Sequence, residues 1–344
     1  MSIPFDAVVQ RVDALPPAGP WPVLDPFLFC VHHDDRYPAG NGKMAPAADL
    51  SGRRLGQDFS GQDGWSMYHG HPVPGFPRHP HRGFETVTVV RRGLIDHADS
   101  MGAAARYGHG DAQWLTAGDG INHAEMFPLL DDTKPNPLDL FQIWLNLPQK
   151  SKRVKPYFSM FWADKIPKVT RVDAQGNRGV ASLIAGELDG VHALSPPPNS
   201  WASNSGSELA IMTIKLDAHA YWPVPPAKKG VKRAYYIVDG RGIVIAGRTL
   251  KPRTRFVLQE GQPALLQAGQ APTELLLLQG RSIGEPVARH GPFVMNTREE
   301  IMQAYADYRR TQFGGWPWPD EAPVHGHRPD RFARYADGRI DKPS

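Results

Sequence analysis

Two short pairs of residues carry most of the chemistry open to this chain: His79 and His81 in HPHRGFET, and His123 and Glu125 in GINHAEMF. Each pair is spaced i, i+2, and residues at that spacing in a β-strand point to the same face. Two such strands side by side would aim three imidazoles and a carboxylate at one point. That donor set suits Fe(II), Mn, Ni, Cu or Zn and leaves positions for water, oxygen or a substrate. Pro80, between the first two histidines, removes a backbone donor, so the pair belongs at a strand edge or start. Gly118-Asp119-Gly120 precedes the second pair and reads as a sharp turn that returns one strand across the other.

Other residues compete for the same role. His69 and His71 form another HxH, and His97 and His109 lie between the two pairs. Gly70 weakens a strand at His69 and His71, which ranks them as loop residues or outer partners. Glu85 lies four residues after His81 on the same expected strand, and alternation gives the two a common face. Glu85 could be a ligand, could orient a histidine, or could sit in a core ion pair. The residues alone do not choose between Glu85 and Glu125. The plainer reading of the first pair is two loop histidines in water, and of the second a surface His–Glu pair. The sequence has no phosphate-cradling Gly loop with a following Lys and no G-x-S-x-G elbow. Its single cysteine, Cys30, excludes a Cys-rich zinc site or an iron–sulfur cluster held by this chain alone.

The elements that must position these residues read as strands. The 34 glycines and 34 prolines among 344 residues favour many tight turns over long helices. Phe84–Val90 alternates and is rich in β-branched residues, and Gln113–Ala117 and Phe141–Leu147 read alike. Further strands are expected at Leu209–Leu216, Ala234–Val238, Gly242–Ala246, Arg255–Leu258 and Glu274–Leu278, which suggests a sandwich or barrel. Thr297-Arg298-Glu299-Glu300 is a capping box. Ile301, Tyr305 and Tyr308 then share one face of a helix that Gly314-Gly315 ends. Residues 1–20 read as a lead-in and Pro148–Pro156 as a linker. Asp35–Gly64 reads as a long excursion that packs near the site mouth or stays mobile, and Trp316–Ser344 as an irregular arm anchored by Trp316, Trp318, Phe332 and Tyr335. The segments 77–93 and 223–240 look like a degenerate repeat. Matching Gly93 to Gly240 sets Pro226 against His79, Lys228 against His81 and Lys232 against Glu85, so the second half would keep the framework without the ligands.

Bulk properties narrow the class. A net charge of +4 is small for this length, and the basic clusters 150–155 and 228–233 read as solvated loops without a nucleic-acid module. No apolar run reaches the ~18 residues that span a bilayer. No signal peptide is evident and one cysteine gives no internal disulfide, so a soluble cytoplasmic protein is expected, with Cys30 a buried small hydrophobe.

Three segments resemble the pirins, a family of two-domain proteins of the cupin superfamily: HPHRGFETVT (79–88), QWLTAGDGINHAE (113–125) and GPFVMNTREEI (291–301). The resemblance covers most of residues 20–310. It implies an all-β fold of two cupin barrels (double-stranded β-helices, jelly-roll-like) with a short C-terminal helix and an extended tail. Residues 1–150 would be the metal-binding barrel and 151–290 a metal-free one, with 291–344 packing back on the first. The family's ligands fall on His79, His81, His123 and Glu125, which favours Glu125 over Glu85, and the implied metal is iron. The resemblance also implies a quercetin 2,3-dioxygenase-like oxidoreductase acting on a flavonol or related enol or phenol with O2, in which Glu125 also accepts a substrate proton. A redox-sensing regulator that binds a protein partner is the alternative, and a metal-free structural bicupin the third reading. The chain departs from the family pattern at Asp35–Gly64 and after Gly315, where it looks extended.

Overall fold

The computed structural model describes residues 3–344 and divides the chain into two compact units. One holds the chain up to Cys30 together with Lys165–Gly284; the other holds Val31–Asp164 and Glu285–Ser344. The division departs from boundaries at residues 150 and 290: the N-terminal residues join the later barrel, residues 151–164 stay with the earlier one, and residues 285–290 go with the C-terminal segment. Val9–Ala14 pairs antiparallel with Thr254–Leu258, and Asp13 accepts from the buried Arg255. VQRVDA shows no alternation of apolar and polar residues and is mostly exposed, so its sequence carries no period-2 signal. The chain crosses from one unit to the other inside the strand Phe27–Tyr37.

The histidine-bearing unit has two large sheets. A six-stranded sheet runs Ile340–Asp341, Phe332–Arg334, Ala104–Gly108, Leu94–Asp99, Ile121–Met126 and Gly75–His81. A five-stranded sheet runs Tyr157–Phe161, Ala112–Thr116, Phe84–Arg92, Asn136–Asn146 and Phe27–Tyr37. Nearly every residue of the central strands is buried on both faces. The other unit has a seven-stranded and a four-stranded sheet around an apolar core that includes Trp222, Tyr235, Ile243, Phe256 and Leu266. Cys30 is fully buried, which pushes its thiol well above its usual range.

The C-terminal helix spans Arg298–Thr311 and starts on the expected capping box, with the Thr297 hydroxyl accepting from Glu300 N and the Glu300 carboxylate accepting from Thr297 N. Among the described residues no helix is long and apolar enough to cross a membrane.

Several expectations need correction. Lys152, in the presumed linker, is buried, and its ammonium donates to Gly83 O, Asn146 Oδ1 and Val294 O. Burial lowers its pKa to about 8. Arg233, in the second basic cluster, is likewise buried. Neither is a solvated charge, because each finds fixed carbonyl acceptors. The excursion from Asp35 is a built loop. Arg53 is buried within it, donates to Asp58, to Gln62 O and to Trp65 O, and stacks over Trp65 at 3.4 Å. Against the upward push of burial, Ser60, Met67 and Arg53 hold the Asp58 carboxyl down to about 2. The arm after Gly315 is not wholly irregular either: Phe332–Arg334 adds a strand beside Ala104–Gly108. An open sheet edge demands a partner for its backbone groups, and the arm supplies one.

Candidate metal centre

The strands Gly75–His81 and Ile121–Met126 pair antiparallel, with His79 opposite His123 and an irregular register between Phe76 and His79. Alternation then brings three imidazoles together: His79, His81 and His123 each offer a ring nitrogen, and those atoms lie within 4.8 Å of one another. Their ring centroids are 4.4, 4.8 and 5.0 Å apart. Among the described residues this is the one group of three or more candidate ligands so placed.

The chemistry of the donors fits a metal ion. His79 Nδ1 lies 2.8 Å from Pro77 O, and His81 Nδ1 lies 3.4 Å from Pro292 O. A carbonyl only accepts, so both rings carry hydrogen on Nδ1 and present the Nε2 lone pair. His123 is fully buried and neither of its ring nitrogens has a hydrogen-bond partner. Buried polar atoms are normally satisfied, so a site leaving two on one side chain is short of a group. Burial is the first cause that holds the imidazoles in their neutral, ligating form: the His79 pKa falls to about 4, and those of His81 and His123 lie well below the usual value.

Glu125 lies beside this cluster, not within the three-atom group. Its Oε1 is 3.1 Å from the Thr88 hydroxyl, and its Oε2 accepts from Gln142 Nε2 at 3.1 Å. The same Thr88 hydroxyl is 2.5 Å from Gln142 Oε1, so its one hydrogen serves one acceptor at a time. Burial pushes the Glu125 carboxyl up, opposed by His97, Thr88, Gln142 and Tyr107.

The remaining candidates fall elsewhere. Glu85 does not share a face with His81: the Arg82-Gly83 turn breaks the alternation between the two strands. Phe84 and Thr88 look toward His81, Trp144 and Glu125, whereas Glu85 accepts from Thr116 at 2.7 Å. His69 is exposed and bonds Gly56 O through Nδ1, and His71 is exposed. His109 has a positive φ and sits at the turn before Ala112–Thr116. His97, one of the competing histidines, is fully buried, lies across from Glu125 in the adjacent strand and has its ring 5.6 Å from that of His123. The sequence signal for its role is a further i, i+2 pair, His97 and Asp99.

The C-terminal segment reaches the turns on either side of the ligands. Arg82, the residue after His81, is buried, donates to Asp307 at 2.8 Å and lies 4.5 Å over the Phe313 ring. Asn122, the residue before His123, donates to Gln312 O and Gly315 O. Gly120 shows why this turn excludes side chains: φ is +129°, and a Cβ would sit 2.6 Å from the Phe313 ring.

Comparison with known proteins agrees with this architecture. The pirin family model matches residues 21–145, and the model of the pirin C-terminal cupin domain matches residues 211–314. A Pseudomonas aeruginosa protein that bears the name "Putative quercetin 2,3-dioxygenase" is 34% identical over 70% of this chain and 79% of its own length. Human pirin is 34% identical over 70% of this chain and 78% of its own length. The crystal structure of quercetin 2,3-dioxygenase from Acinetobacter baumannii superposes with a TM-score of 0.67 at 24% identity, covering 90% of this chain and 96% of that one, which shows a common fold. The chain belongs to the pirin family and is built of two cupin domains.

Proposed function

We propose that this pirin binds one iron ion on His79, His81 and His123 and is a dioxygenase for a flavonol or a related enol or phenol. The observation that carries the reading is the convergence of three neutral imidazoles inside a barrel, one of them with both nitrogens unpartnered. The relative from Pseudomonas aeruginosa, named for activity on quercetin, supports the substrate class. A bound divalent ion would polarise a substrate oxygen and support reaction with O2. The chain's own residues would do the rest. Glu125 is the carboxylate beside the ligands, available either as a fourth ligand or as acceptor for the acidic hydrogen of a phenol or enol. Thr88 and Gln142 hold it in place. Phe84 and Trp144, packed 4.3 Å apart and both against His81, keep that side of the site apolar.

The test is oxygen uptake by tag-free protein loaded with Fe(II), with quercetin as probe. Iron-dependent uptake that disappears in His81→Ala is expected. Uptake that persists in a variant shown to hold no metal refutes the assignment.

One observation favours a second reading, a redox-sensing protein read by a protein partner. Arg82 and Asn122 tie the ligand turns to the C-terminal helix and the residues after it, so a change at the ligands has a route to the surface. Pull-downs with oxidised and reduced protein decide it; equal recovery of partners from both states argues against sensing.

A further inference from the structure

His97 and Asp99 form a buried dyad that the reading above leaves unused. Both are fully buried, and Asp99 Oδ2 lies 3.2 Å from His97 Nε2. The carboxylate accepts, so Nε2 carries a hydrogen; in the neutral ring Nδ1 then keeps a lone pair, and it has no partner. The neighbouring strand places Asp99 opposite His123 and His97 opposite Glu125. The His97 and His123 rings are 5.6 Å apart and tilted by 55°, a separation that a hydrogen bond between two imidazoles can span.

The remaining valences match. When His123 gives one nitrogen to a metal, the other carries the ring hydrogen and needs an acceptor. The nearby carboxylates have donors of their own: Gln142 serves Glu125 Oε2 and Thr88 is shared between Glu125 Oε1 and Gln142, while His97 and the backbone amides of Met101 and Ala103 serve Asp99. The Tyr107 hydroxyl faces Thr88 and Glu125. Of the side chains just named, His97 Nδ1 is the acceptor left without a donor.

We propose that His97, oriented by Asp99, is a positioning residue for the metal centre: its Nδ1 accepts from the non-ligating nitrogen of His123 and fixes the tautomer and aim of that ligand. The inference rests on the reading of His79, His81 and His123 as a metal site. Outer partners of this kind orient metal-bound imidazoles generally. The dyad itself is pinned by the C-terminal arm. Trp318 Nε1 donates to Asp99 O at 2.8 Å, and His325 Nε2 lies 2.7 Å from His97 O. Phe158 stacks on the His97 ring, and Tyr335 packs edge-on against Phe158. The extension beyond the helix is thereby part of the site's scaffold.

The experiment is a Co(II) titration of the full tag-free chain, followed by the visible absorption of the bound ion, on wild type, His97→Leu, His97→Gln and Asp99→Asn. The asparagine keeps the oxygen that holds Met101 and Ala103 but turns an amide donor toward His97 Nε2. That reverses the His97 tautomer and sets two donors against each other at His123. Asp99→Asn and His97→Leu are expected to bind Co(II) about 10–100-fold more weakly with a shifted absorption band. His97→Gln, whose amide can both donate and accept, is expected to recover most of the affinity. Wild-type affinity and spectrum in both Asp99→Asn and His97→Leu overturn the proposal, and so does His97→Gln binding as weakly as His97→Leu. If the leucine variant does not fold, the nearly isosteric Asp99→Asn decides. A wild type that takes up no Co(II) refutes the metal site itself, a separate and distinguishable result.

Discussion

The two barrels of this chain share a framework and differ in what fills it. The strands Phe84–Arg92 and Val231–Asp239 are each flanked by two antiparallel neighbours and end at a glycine of positive φ, Gly93 and Gly240. In that register Thr88 corresponds to Tyr235. Thr88 is small and polar and leaves room for Glu125, which it contacts. Tyr235 fills the equivalent space with a ring stacked on Phe256 at 5.2 Å and 7°. Pro226 and Lys228, which the same register sets against His79 and His81, are not in a strand, and Lys228 pairs with Glu208 at the surface. A cupin barrel therefore does not require the polar interior. Burying unpartnered polar atoms costs stability, and an apolar filling avoids that cost. The barrel that keeps three histidines, Glu125, His97 and Tyr107 inside accepts the cost, which is the pattern expected of a site that a ligand completes.

Three variants probe the contrast. Tyr235→Ala should have the largest effect on stability, a loss of about 3–5 kcal/mol from the cavity left in a packed core, measured by urea unfolding. It should leave metal content unchanged; a loss of metal would mean that the two interiors are coupled. Gln142→Leu in the polar barrel should cost about 1–3 kcal/mol, because Glu125 Oε2 loses its donor. No change in unfolding midpoint would show that the polar cage around Glu125 is already loose. The smallest effect concerns pH. Arg82 is the first cause that holds the Asp307 carboxyl down to about 2. A depressed folded-state pKa gives stability that is present above the ordinary carboxylate range and is lost as pH falls through the folded value. Unfolding midpoints should therefore drop between roughly pH 4 and pH 2. Arg82→Met should flatten that drop, and an equally steep acid loss in the variant would remove Arg82 from the explanation.

The legible parts of this fold were those with local periodicity. The strands at Phe84, Gln113 and Leu209 and the helix after Thr297 follow alternation, β-branching and a capping box, all set by neighbouring residues. The i, i+2 spacing placed His79 and His81 on one strand and His123 on the next. Glu85 was misplaced because alternation was carried across Gly83, whose φ of 84° ends one strand and restarts the count. The Val9–Ala14 strand and the arm strand Phe332–Arg334 gave no signal, since each is an edge element defined by its distant partner. Lys152 and Arg233 read as solvated because their acceptors are backbone carbonyls that no side-chain pattern announces.

The central claim is that one barrel holds a metal and the other does not. Elemental analysis of tag-free wild type and of His123→Ala tests it most directly. The account predicts one ion per chain in the wild type and none in the variant. A wild type without metal, or a His123→Ala protein that keeps its ion, contradicts it.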